Sequence, residues 1–212
     1  MKLLAIDCST QACSAALLAD GLLLSEQFEL GARQHTQHLL PMVDCLLSKT
    51  QISLSQLDAI AFGRGPGSFT GLRICLGAVQ GLAFGADLPV LPISTLAALA
   101  QTAVADNNIP VAPNTRILSM IDARMDEIYW AQYTVDKGLV EIDGEERLSV
   151  PEQLLLPTMP GSNNIPYLVV GSGWNYADRI SFRERVSKAD GGLLPRASAI
   201  ALLAEDDCRE GR

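Results

Sequence analysis

The stretch GRGPGSFTGLRI, Gly63–Ile74, joins an apolar run short enough for one buried strand to a run long enough for a helix. A strand that enters a glycine-rich turn and leaves as a helix commits a chain to α/β layering, because each element must bury its apolar face against the other kind. Upstream, LLAID, CSAALLA and LLLSEQFEL read as three short strands, with DCSTQA and ADG as their turns, an N-terminal β-meander. From Arg33 to Lys49 the apolar residues Leu39, Leu40, Val43, Leu46 and Leu47 recur three or four apart, which predicts a helix kinked or started near Pro41. LDAIAF supplies the buried strand before the turn, and the helix runs from Phe69 to about Gly85. LPVLPIS is one more strand, and Thr95–Ala105 is an Ala-rich helix apolar enough to be buried.

ADNNIPVAPNT concentrates Asn, Pro and Asp as a linker does, so the expected division is a lobe of 1–105 and a lobe of 106–212. The second half then restarts. ILSMIDARMDEIYWAQYTVDKGLVEIDGEERL again reads strand, turn, strand, turn, strand, and setting LLAIDCST over LSMIDARM pairs Asp7 with Asp122. YLVVGSGW echoes AIAFGRGPG as strand plus glycine turn, with a helix expected after each. The pattern points to an internal duplication, two similar α/β lobes.

At 212 residues and 48% apolar content the chain has ample material for a core. Sixteen basic residues stand against 24 acidic ones, without a basic stripe, which excludes unaided nucleic-acid binding as the main task. Cys8, Cys13, Cys45, Cys75 and Cys208 are odd in number and never form CxxC, so they read as small core hydrophobes in a reducing compartment, with no zinc cluster. MKLLAIDCST is too short an apolar run for a signal peptide, and FTGLRICLGAVQGLAFGA carries Arg73 and four glycines, which disfavours a membrane span. The expectation is a soluble cytoplasmic protein.

The glycine stretch does not carry the standard phosphate chemistries. Walker A needs a Lys after its last glycine, and SFTGLR has none; GxGxxG would place Ser68 at its third glycine. GxSxG is absent, so serine hydrolysis has no support. What remains is a rigid turn with Ser68 or Thr70 capping the helix. Gly77, Gly81 and Gly85, four apart, make a low ridge on that helix, beside a stripe of Leu72, Leu76 and Val79, suited either to core packing or to a partner. His35 and His38 lack further nearby ligands and read as surface histidines rather than a metal site. Asp7, Ser9 and Thr10 offer a carboxylate and two hydroxyls at a hairpin turn, and Gly171 and Gly173 a glycine turn in the second half. These form a vestigial nucleotide site, since IDARMDEIY lacks the glycine hairpin that would grip the other side of a phosphate tail.

LLAIDCST, ARQHTQHLLPMVDCLL and above all GRGPGSFTGLRICLGAVQGLA resemble the TsaB (YeaZ) family, a subunit of the machinery that makes threonylcarbamoyladenosine in tRNA. The second half is similar more loosely, through DARMDEIYWAQY, LVVGSGW and PRASAIALLA. The resemblance implies an α/β protein of two actin/Hsp70/sugar-kinase-like (ribonuclease H-like) lobes, with mixed sheets flanked by helices. It implies a non-catalytic scaffold for the paralogue TsaD, with the TsaE ATPase as a further partner, tRNA met only through the complex, and a homodimer in isolation. TsaD holds its metal with HxxxH; carried onto LPVLPISTLAALA, that motif puts Thr95 and Leu99 at the histidine positions, which leaves no metal site and no catalytic residue. The family's partner contact is a bundle of the first two helices, here Arg33–Lys49 and Phe69–Ala86. The implied anchors are Leu39, Val43, Leu46, Leu72, Leu76 and Val79, with the ridge of Gly77 and Gly81 for close approach and Arg73 at the edge. No tightly bound cofactor is expected beyond a weak or interface-dependent nucleotide at Asp7, Ser9, Thr10, Gly171 and Gly173. Family members continue past PRASAIALLA into a tail with a YxR-type segment, where this sequence reads EDDCREGR. Two other readings are an independent kinase or ATPase of the same superfamily and a metallopeptidase of the glycoprotease type.

Overall fold

The computed structural model describes residues 1–31, 35–106, 109, 111, 115–156 and 167–211. The chain divides into two compact units, Met1–Ala98 with Pro195–Arg212, and Leu99–Leu194.

In the first unit β1 (Lys2–Asp7), β2 (Ala12–Ala19) and β3 (Leu22–Leu30) form the meander, followed by α1 (His35–Thr50), β4 (Ala59–Gly63), α2 (Phe69–Ala86), β5 (Val90–Ile93) and the start of α3 (Thr95–Ala105). The expected helix start at Arg33 lies outside the described residues, and Pro41 sits inside α1 on its exposed side. The sheet order is β3-β2-β1-β4-β5, with β1 antiparallel to β2 (Asp7 opposite Ser14) and parallel to β4. Both faces of β1 are covered, which is why KLLAID is apolar almost throughout rather than alternating. Leu4, Ile6 and Cys8 face a cluster with Leu39, Val43 and Leu46 of α1 and Cys75 and Val79 of α2. Leu3 and Ala5 face a cluster completed by Ala197, Ile200, Ala201 and Ala204.

Those last residues belong to α4 (Ala197–Glu210). A lobe of 106–212 would carry α4 with the second half, whereas the structure groups it with Met1–Ala98. The reason is its small-residue face, which lies flush on the alanine-rich side of β1, β2 and β4. Ser14 Oγ and Glu26 Oε1 accept from the Ala197 and Ser198 amides and so cap its first turn. The expected linker 105–115 falls largely on residues outside those described.

The second unit contains β6 (Arg116–Arg124), β7 (Glu127–Asp136), β8 (Leu139–Ile142), β9 (Arg147–Ser149), β10 (Tyr167–Val170) and β11 (Val186–Asp190). Its order is β8-β7-β6-β10-β11, with two antiparallel pairings followed by two parallel ones, the same succession as in the first unit. The duplication is therefore visible in topology. It extends to the second turn of each meander, where Asp20–Gly21 and Lys137–Gly138 both have positive φ at two successive residues, as a two-residue hairpin requires. The halves part after β10, where the expected helix is a 3-10 segment, Ser172–Arg179, broken at Tyr176. The break lets Trp174, Tyr176 and Ile180 all reach the core, a spacing that no single helical stripe presents.

Candidate functional site

The glycine stretch is explained by what lies against it. The Ser68 amide donates to the Ser9 carbonyl at 2.6 Å, which draws the loop onto the turn after β1. A Cβ on Gly67 would stand 2.2 Å from the Ser9 carbonyl oxygen, and one on Gly71 only 1.9 Å from that of Cys8. A side chain at either position would have to push main chain aside. The loop is thus lined by backbone carbonyl oxygens, which repel a phosphate rather than cradle it. Ser68 caps α2, accepting from the Gly71 amide at 3.3 Å, while Thr70 is exposed.

Asp7 and Ser9 are each only 1% exposed. Ser9 donates to Asp7 Oδ2 through its hydroxyl at 2.9 Å and its amide at 3.3 Å. Burial pushes the Asp7 carboxyl up to about 7, against the opposing pull of the Ser9 bonds. Its Oδ1 has no hydrogen-bond partner among the described residues and lies 2.1 Å from where a Cβ on Gly63 would be. Thr10 Oγ1 accepts from the Ala12 amide and closes the turn. In the second unit, a Cβ on Gly171 would meet the Met120 carbonyl oxygen at 2.3 Å, and one on Gly173 the Met120 Cβ at 2.6 Å. Asp7 Oδ2, Ser9 and Thr10 are thus engaged within their own turn, while Asp7 Oδ1 is buried without a partner among the described residues. Asp122, the counterpart of Asp7, instead accepts from the Arg124 amide and the Tyr176 hydroxyl.

The implied partner residues separate into two groups. Leu39, Val43, Leu46 and Val79 are packed into the first unit's own core and present nothing to a partner. On α1 the periodic stripe of Leu39, Val43 and Leu46 is the face that fills the unit's own core, and for Val79 the cause lies in α2. α2 is apolar nearly all round, so periodicity cannot tell its inner face, Gly71, Cys75, Val79 and Ala83, from its outer one. By length and composition alone it also resembles a membrane span. Leu76 remains 41% exposed, and with it Phe69 and Phe84, which sequence reasoning missed, at 68% and 93%. Gly77 and Gly81 lie on this open side, with no atom within 4 Å of a Cβ placed on either. Leu72 is half-buried and joins Phe62, Phe69, Leu76, Arg64 and Arg73 around a shallow hollow. The Arg73 guanidinium sits 3.7 Å over the Phe69 ring, so its partner is an aromatic face of its own helix.

Of the two histidines, expected at the surface, only His35 departs from that reading. His38 pairs with Glu29 at the surface, whereas His35 is buried beside Cys8 and Cys13. Thr95 and Leu99, which the resemblance sets at the histidine positions of an HxxxH motif, are buried, and a Leu side chain beside a lone hydroxyl does not fit a metal ion.

Over 213 aligned residues the chain is 41% identical to the tRNA threonylcarbamoyladenosine biosynthesis protein TsaB of Escherichia coli (strain K12), spanning 100% of this chain and 89% of that protein. The chain belongs to the TsaB (YeaZ) family. TsaB of Haemophilus influenzae (strain ATCC 51907 / DSM 11121 / KW20 / Rd) is 43% identical over 211 residues, 97% of this chain and 85% of that protein. The structure of YeaZ from Pseudomonas aeruginosa superposes with a TM-score of 0.88 at 43% identity, covering 99% of this chain and 93% of that one. Residues 28–199 also match the family model described as TsaD: tRNA N6-adenosine threonylcarbamoyltransferase, so this chain shares a domain with that family. Component A of (R)-2-hydroxyglutaryl-CoA dehydratase from Acidaminococcus fermentans, at a TM-score of 0.54 and 9% identity over 99% of both chains, shares the fold alone. The chain thus has the actin, Hsp70 and sugar-kinase type of fold, two mixed sheets flanked by helices.

Proposed function

We propose that the chain is a non-catalytic subunit of the machinery that makes threonylcarbamoyladenosine in tRNA, and that its task is to bind and support TsaD. The observation that carries this is the outer face of α2, where Phe69, Leu76 and Phe84 stand in solvent beside a glycine ridge. An exposed apolar face marks an interface, and a ridge without side chains lets a partner helix come close. Leu40 of α1 is also exposed. The transfer reaction belongs to TsaD, because Thr95 and Leu99 offer no metal ligand pair. The same face, paired with itself, gives a homodimer when TsaD is absent. TsaE and tRNA join the assembled complex rather than this acidic chain, in the cytoplasm where tRNA is modified. A nucleotide binds weakly or only with the partner present, since Asp7 and Ser9 are buried and mutually engaged.

The test is co-elution of the chain with TsaD, together with reconstituted tRNA modification, for Leu76→Arg and Phe84→Arg. Both substitutions lie at exposed positions and are expected to keep the wild-type Tm while abolishing co-elution and modification. Co-elution at the wild-type ratio would move the interface elsewhere, and full modification without the chain would end the scaffold reading.

A further inference from the structure

We propose that Cys8, Cys13 and His35 form a binding site for a thiophilic divalent d10 cation, Zn²⁺ being the biological example, on the α1 face of the first sheet. The three come from separate short segments. Cys8 follows β1 and Cys13 lies in β2; because Asp7 pairs with Ser14, the two cysteines are the next positions across the same hairpin. Cys8 continues the alternation of Leu4 and Ile6, so its thiol points to the α1 and α2 side, away from the Asp7 carboxylate. His35 opens α1 directly above. One donor atom from each residue lies within 4.8 Å of the other two, and all three residues are buried.

The detailed geometry suits a metal. The two sulfurs are 3.5 Å apart. With metal–sulfur bonds of about 2.3 Å, that separation corresponds to a sulfur–metal–sulfur angle of about 100°, close to tetrahedral. His35 Nε2 is 3.1 Å from the Thr10 carbonyl oxygen, which can only accept, so the ring proton sits on Nε2 and donates to it. That leaves Nδ1 with a bare lone pair, buried and without a hydrogen-bond partner among the described residues. A backbone carbonyl that fixes the tautomer and aims the free nitrogen is the usual outer support of a metal-bound histidine. An unfilled acceptor in a dry core is otherwise costly.

The charge balance selects a divalent ion. Binding releases one proton from each thiol, and M²⁺ with two thiolates and a neutral imidazole is uncharged, which a dry pocket tolerates better than a net charge. Soft sulfur donors favour Zn²⁺ over Mg²⁺ or Ca²⁺. Three protein donors stand one short of a tetrahedral set.

The experiment uses the full chain, reduced and stripped with chelator, then incubated with Zn²⁺, dialysed, and assayed for bound metal and Tm. The expected result is about one zinc per chain with a raised Tm, falling at least tenfold in Cys13→Ser and His35→Gln, and unchanged in Cys45→Ser. His35→Gln keeps an N–H for the Thr10 carbonyl while removing the lone pair, so it separates ligation from folding. The metal-free variants are checked for folding by circular dichroism. Retention below a tenth of an equivalent by the wild type, or equal uptake by the folded His35→Gln and the wild type, would overturn the assignment.

Discussion

Replacing Gly71 and Gly77 by Ala, one at a time, makes the same chemical change in the same helix and should give opposite signs. At Gly77 nothing lies within 4 Å of the added carbon, so the substitution collects the ordinary helix-propensity gain, about 1 kcal/mol. At Gly71 the new carbon would stand 1.9 Å from the Cys8 carbonyl oxygen. An ordinary carbon–oxygen contact is about 3.3 Å, so the start of α2 must move away from β1 by roughly 1.4 Å. The obstacle is main chain, which has no alternative rotamer. Overpacking of this kind costs about 3 kcal/mol at the upper end of its usual range, leaving a net loss of about 2 kcal/mol. For a chain of this size each kcal/mol moves Tm by roughly 2–4 °C. Calorimetry should therefore show Gly71→Ala melting about 4–8 °C below the wild type and Gly77→Ala about 2–4 °C above it. A Tm for Gly71→Ala at or above the wild-type value would show that the close approach of loop and strand is wrong. Gly77→Ala carries a second expectation: the methyl group that stabilises the free chain fills the ridge proposed to receive TsaD, so co-elution should weaken as Tm rises.

The Asp7 carboxyl is raised by burial to about 7 from 3.8, so between those pH values the folded chain holds a proton that the unfolded chain has released. Stability should then fall by roughly 4 kcal/mol as pH rises from about 4 to about 7, and stay low above that. Urea unfolding of metal-stripped protein across this range should show a flatter profile for Asp7→Asn; equal slopes would remove Asp7 as the cause. Leu46, fully buried, should lose about 2–5 kcal/mol on truncation to Ala, whereas Leu76→Ala, on the open face of α2, should stay within about 0.5 kcal/mol. Comparable losses at the two positions would mean that the outer face of α2 is covered in the free chain.

Local periodicity and turn chemistry determined much of this protein from the sequence alone. The meander, the strand–turn–helix unit at Gly63–Ile74, the Ser68 cap and Thr95–Ala105 as a helix depend on interactions within a few residues, and they stand where the pattern puts them. The duplication was legible too, since each meander carries its own turn signals in the same order. The family followed from GPGSFTGLRI, whose glycines are required wherever that loop lies on β1. Tertiary structure decided the rest. α4 lies on the first sheet, not with the half that precedes it in sequence, because its alanine face matches a surface assembled from β1, β2 and β4. Nothing in ASAIALLA states which sheet that is. On α2, apolar nearly all round, Val79 turned inward and Phe69 and Phe84 outward, a choice its periodicity does not show; on α1 the stripe of Leu39, Val43 and Leu46 filled the unit's own core and left Leu40 outside. Cys8, Cys13 and His35, which no spacing rule connects, met only when α1 closed over the hairpin. Sequence specifies what neighbours along the chain can do for one another; burial and proximity between distant segments exist only once the sheet has gathered them.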